Sequence, residues 1–204
     1  MDKLLNHVME FIYQNDEADG MDAEQAEIIR YGLEVVLLKV IFIVATLIVG
    51  ILMKSFLGCL TFMVMFMPLR SYAGGYHAKT RMQCFIQSVL TIAIIIGLLK
   101  IINTYILTPL LILSLISLPF IWILAPVDTE NKRLDKEECA IFKRKTRIVL
   151  ILEVIVAIAT YILGQNILIE LKVITYTVML AICDVALLVI VEHIKNKKAG
   201  GLKG

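Results

Sequence analysis

His77 and Cys84 stand seven residues apart in RSYAGGYHAKTRMQCF (residues 70–85), a polar interruption between two apolar runs. A thiol and an imidazole are the two parts of a cysteine nucleophile: the imidazole takes the thiol proton and later returns one to a leaving group, working near neutral pH. One continuous helix cannot join them, because seven residues of helical rise put them ~10 Å apart along the axis, beyond hydrogen-bond reach. A break is required, and the sequence supplies one. Gly74 and Gly75 admit backbone conformations closed to other residues, and TRMQ (80–83) has the spacing of a capping box. This predicts Thr80 as N-cap, a helix entering the membrane from Arg81, Cys84 in its first turn or just beyond, and His77 on the preceding loop. A thiol near a helix N-terminus, with Arg81, Lys79 and a histidine close by, is the setting of a nucleophile.

The competing reading is that these residues are incidental. A cysteine in an apolar helix usually serves as a small hydrophobe, and Cys59 and Cys183 are read that way. Cys139, in DKEECAIFKRK, is an incidental thiol or part of the apolar face of an amphipathic piece. His7 and His193 fall in polar flanks and are read as solvated. The four cysteines include no CxxC pair, which argues against a disulfide framework and against a zinc site. On spacing alone, both readings of His77 and Cys84 stay open.

The elements that must position these residues are apolar. Of 204 residues 59% are hydrophobic and 19% charged, so most of the chain cannot be a water-soluble surface and the protein is an integral membrane protein. A span needs ~20 apolar residues. Val35 to Leu69 is too long for one comfortable helix and barely enough for two; it is read as two short spans meeting at Lys54, with Lys39 snorkelling toward headgroups at the other end. The remaining runs are Phe85 to Leu99, Thr104 to Leu124, Ile148 to Leu163 and Val173 to Val191. The fold predicted is therefore an all-α polytopic transmembrane bundle of about six spans. It forms a single integral membrane domain over 1–204, with an N-terminal region at 1–34, the bundle at 35–191 and a tail at 192–204.

Orientation follows from the cations. Arg70, Lys79 and Arg81 lie in one connection, Lys132 to Arg147 holds seven more, and Lys195, Lys197, Lys198 and Lys203 lie in the tail. With six spans these segments share a side, which the positive-inside rule makes the cytoplasm. If Val35 to Leu69 were one tilted helix, the N-terminus would flip while the three basic segments stayed together. Upstream, MDKLLNHVMEFIYQNDEADGMD has neither a basic start before a clean apolar core nor a small-residue cleavage site, and is read as no signal peptide. Leu4, Leu5, Val8, Met9, Phe11 and Ile12 recur at roughly helical spacing, as in an amphipathic helix lying at the cytoplasmic interface or packed on the bundle from the solvent side.

RSYAGGYHAKTRMQC is similar to the signature of the accessory gene regulator B family, membrane cysteine endopeptidases of Gram-positive bacteria that process precursors of cyclic quorum-sensing peptides. The matching positions are Arg70, Ala73, Gly75, His77, Ala78 and Cys84. APVDTENKRL (125–134), YGLEV (31–35), the length and the hydropathy match as well, so the likeness covers nearly the whole chain. The resemblance implies that Cys84 attacks a peptide carbonyl of an AgrD-type precursor peptide, releases its C-terminal segment and holds the remainder as a thioester. A cysteine thiol or serine hydroxyl within the bound peptide then closes a thiolactone or lactone ring. A partly buried site at the membrane face would protect that thioester from water and hold the internal nucleophile close. The resemblance also implies a homodimer in the membrane lipid of a bacterial cell, multi-pass, with its active site at the cytoplasmic face. No metal, organic cofactor or nucleic acid is called for.

Supporting roles remain open. Arg70, with Lys79 and Arg81, would bind carboxylates in the precursor's C-terminal segment, although cations at a cytoplasmic edge are also ordinary topology signals. Backbone N–H groups around Gly74 and Gly75 would stabilise an oxyanion, or the glycines simply make the turn. Glu34, in YGLE, is the candidate acid for orienting His77; its rivals are Glu153 and Asp184, acids inside apolar runs. Pro109 and Pro119 are read as bends in the fourth span. From another class, a small transporter or channel would use Glu153 and Asp184 to line a pathway, but the chain lacks visible repeated halves. EECAIF (137–142) begins like the glutamate pair of prenyl-processing membrane proteases, yet Phe142 stands where that motif needs Arg.

Overall fold

The computed structural model describes residue 7 and residues 23–76, 81–101, 104–128, 134–166 and 170–201. Among the described residues the chain forms six long helices: α1 (Ala23–Leu52), α2 (Phe56–Ala73), α3 (Arg81–Ile101), α4 (Thr104–Leu124), α5 (Lys136–Asn166) and α6 (Glu170–Gly201). Each is long and apolar enough to cross a membrane. The run from Val35 to Leu69 is divided as expected, because the chain turns at Met53 to Ser55, where Lys54 takes a positive φ of 49° and Ser55 N–H donates back to Gly50 O at 2.9 Å.

The chain divides into two compact units, residues 1–45 and 46–204. The first is represented by the N-terminal part of α1, whose Ile28, Tyr31, Val36, Val40, Ile41 and Val44 are all exposed. The second contains α2 to α6 and is built around α6. This helix packs against α2, α3, α4 and α5. Its Val178, Ile182, Val185 and Val189, at the spacing of one helix face, are at most 2% exposed. They meet Leu69 and Ala73 of α2, Ile121 of α4, and Leu150 and Ala157 of α5 in one core.

Outward, Ile94, Ile112, Leu115, Ile116, Leu152, Ile155 and Ile158 are exposed. In water such a surface would drive aggregation, whereas in hydrocarbon it costs nothing. Helices suit that solvent because they satisfy their own backbone groups. The hydroxyls follow the same rule: Thr146 Oγ1 donates to Phe142 O at 2.9 Å and Ser117 Oγ to Leu113 O at 2.8 Å. Across helices, Thr160 Oγ1 and Thr175 Oγ1 are 2.9 Å apart and tie α5 to α6.

Three helices run well beyond the apolar stretches that mark them in sequence, and α1 is one of them, beginning at Ala23 rather than Val35. α5 begins at Lys136 rather than Ile148, because Asp135 and Glu138 form a reciprocal cap: Glu138 N–H donates to Asp135 Oδ1 at 2.7 Å and Asp135 N–H to Glu138 Oε2 at 3.4 Å. α6 continues past Val191 to Gly201, and Glu192 on that extension is 1% exposed. A hydropathy run marks the part of a helix in lipid, while hydrogen bonds and caps decide where the helix stops.

Candidate active site

The site is assembled at the end of α2. Leu69 and Ala73 are fully buried and fix the last turn of that helix in the core. The helix stops because Gly74 and Gly75 take φ of 72° and 108°, and Gly74, with ψ of −146°, lies close to backbone space reserved for glycine. Space forbids a side chain there too. A Cβ on Gly74 would sit 2.4 Å from Val127 O, and one on Gly75 would meet the Arg70 guanidinium at 2.9 Å and the Leu188 backbone at 3.0 Å.

The segment after the turn is pinned from three directions. Val127 N–H, just beyond the cis Ala125–Pro126 peptide, donates to Ala73 O at 3.0 Å, and Gly74 pairs with Val127 in an isolated parallel bridge. Tyr76 N–H donates to Leu188 O of α6 at 3.0 Å. Arg70, one turn back on α2, donates through its two terminal nitrogens to Gly74 O and Tyr76 O. A planar fork that grips two carbonyls at once fixes their spacing in a way a single donor cannot.

Cys84 is the fourth residue of α3 and half-buried; Ser88 Oγ donates to its carbonyl at 2.9 Å. The electrostatic partners of Arg70 are Cys84, Asp184 and Glu192. Asp184, Leu188 and Glu192 recur every fourth residue, so one face of α6 offers a carboxylate, a carbonyl and a second carboxylate in succession. Asp184 Oδ2 and Glu192 Oε2 are buried without a hydrogen-bond partner among the described residues, while Glu192 Oε1 lies 3.5 Å from Lys195 Nζ. Further along, Asn196 Nδ2 donates to Asp128 O at 2.7 Å, holding the loop after α4 against α6.

The structure thus brings together Arg70, Gly74, Gly75 and Cys84 from the sequence reading, and with them Asp184, one of the rival acids. His77 and Lys79 lie outside the described residues, as does the proposed cap Thr80, and Arg81 is described only as the first residue of α3. Glu34 lies half-buried on α1, in the first unit. Glu153 is 2% exposed on the α5 face that carries Leu150 and Ala157 into the core, and it is not among the partners of Arg70. Sequence reasoning missed Glu192. Its signal was the four-residue repeat from Asp184, hidden because Glu192 falls just past the last apolar run.

This arrangement can hold a thiol at the mouth of a helix, beside a glycine turn that a half-buried guanidinium keeps in shape. Comparison with known proteins agrees with the sequence likeness. The family model described as Accessory gene regulator B matches residues 5–191. The chain is similar to the accessory gene regulator protein B of Staphylococcus aureus (strain JH9), 28% identical over 158 residues that cover 78% of this chain and 82% of that protein. It is similar as well to the accessory gene regulator protein B of Staphylococcus intermedius, 30% identical over 129 residues that cover 63% of this chain and 68% of that protein. No solved structure matches the chain significantly.

Proposed function

Because the chain belongs to the accessory gene regulator B family, we propose that it is a membrane cysteine endopeptidase that trims and cyclises the precursor of a quorum-sensing peptide. Cys84 is the nucleophile and His77 its acid–base partner. The Cys84 sulfur, its proton passed to the imidazole, adds to the scissile carbonyl; the resulting oxyanion is received by backbone N–H groups near Gly74 and Gly75. Collapse of that intermediate breaks the C–N bond, the imidazolium returns its proton to the departing amine, and the N-terminal part of the precursor stays on sulfur as a thioester. A thiol or hydroxyl within the bound peptide then attacks the thioester carbonyl, its proton passing to the imidazole, and Cys84 leaves as the ring closes. Holding that internal nucleophile near the thioester, away from water, favours cyclisation over hydrolysis.

The observation that carries this reading is the position of Cys84 in the opening of α3, within electrostatic range of the arginine that clamps the turn leading to His77. Arg70 serves chiefly as a positioning residue, its two terminal nitrogens each donating to a carbonyl, of Gly74 and of Tyr76. The basic segments support a site at the cytoplasmic face, where an AgrD-type precursor would reach it.

The test is a proteoliposome assay with a cognate precursor. Cys84→Ser and His77→Ala abolish cleavage, and Cys59→Ser, in a fully buried position, keeps it. Precursor processed at the wild-type rate by either site variant would end the proposal, and a solute flux that survives both would speak for a transporter.

A further inference from the structure

We propose that the groove between α4 and α5 binds an anionic phospholipid from the leaflet bordering the basic end of α5, its phosphate at Arg147 and an acyl chain along the groove. The groove, of about 380 Å³, is lined on one side by Leu118, Trp122 and Ile123 and on the other by Leu150, Ile151 and Val154. The Arg147 guanidinium lies 4.6 Å from the centre of the ring of Trp122, one of the lining residues. Cation–π stacking uses the face of the guanidinium and leaves its in-plane donors available. One of them, Nε, is buried without a hydrogen-bond partner among the described residues. A cation placed only to set topology would be exposed, as Arg144 is; Arg147 is half-buried.

Along α5 the same face carries Lys143, Arg144 and Arg147 and then Leu150, Ile151 and Val154, at intervals of three and four residues. Charge followed by hydrocarbon is the order in which a phospholipid presents phosphate and acyl chain. A peptide segment would have to bring its amides into a groove whose lining offers them no acceptor or donor apart from the indole. A second copy related by a two-fold axis along the membrane normal would set these basic stripes against each other at equal depth. Charge complementarity therefore selects an anionic lipid over both.

The test is native mass spectrometry of the full-length protein in detergent, titrated with phosphatidylglycerol or with phosphatidylcholine of the same acyl chains. Phosphatidylglycerol adducts are expected at about fivefold lower lipid concentration, the gain typical of one cation near an anionic headgroup. Arg147→Gln should erase that preference, Val154→Trp should lower binding of both lipids by filling the groove, and Lys172→Ala, on another helix, should change neither. Free inorganic phosphate should not displace the lipid. Independently of any variant, a phosphatidylglycerol with a diazirine in mid-chain should label 118–123 or 150–155 in the wild-type protein. Equal retention of the two lipids, displacement by phosphate, or labelling confined to other segments would overturn the proposal. So would Val154→Trp altering the oligomeric state while lipid binding stays as it was.

Discussion

Arg70 and the two glycines form one device, and the physical reason each is needed differs. At Gly74 a methyl group would collide with backbone of the α4–α5 loop, which cannot swing aside as a side chain can, and the dihedrals are costly for any L-residue by ~1–3 kcal/mol. Gly74→Ala is therefore expected to lower the melting temperature and to cut precursor cleavage at least about tenfold, measured together by a thermal-shift assay and the proteoliposome reaction. At Arg70 the requirement is a fork. Arg70→Lys keeps the charge near Cys84 but offers one nitrogen in place of the planar fork, so the two carbonyls lose their fixed spacing and kcat should fall by about tenfold or more while KM changes little. A KM rise with unchanged kcat would instead assign Arg70 to substrate carboxylates.

At the scale of elements, α6 gives the site its floor. Its core face grips α2, α4 and α5, and the neighbouring face presents Asp184, Leu188 O and Glu192 to the glycine turn and to Arg70. Removing the guanidinium takes a cation away from Asp184 and the buried Glu192 and leaves the Gly74 and Tyr76 carbonyls without their donor. Arg70→Gln should thus destabilise the protein, and adding Glu192→Gln should restore part of the lost stability in a denaturation series; strictly additive losses would show that the two do not interact. The helices and the split at Lys54 were legible in the sequence because each is written locally, in apolar run length. Glu192 and the grip of Leu188 O on Tyr76 were not. They depend on which residues of a distant helix face the turn, and no local pattern near Gly74 carries that information. Arg70 was legible as important but not for its reason, since a cation at a membrane edge reads equally as topology signal, substrate binder or structural clamp.

At the scale of the whole molecule, the six apolar helices among the described residues would carry the basic connections to one side, which makes sidedness a prediction. In a cysteine-free background, a single cysteine at Asp128 should react with a membrane-impermeant maleimide only after the cytoplasmic side is opened, and one at Lys54 should react from outside intact cells. The reverse pattern would put the chemistry on the wrong face for a precursor made in the cell. The most direct test concerns the covalent step itself. Wild-type protein in proteoliposomes, quenched with acid during turnover and digested, should yield by mass spectrometry a peptide containing Cys84 that carries the N-terminal part of the precursor through a hydroxylamine-sensitive thioester. Turnover proceeding with that adduct on another residue, or with no adduct on any, would contradict the account.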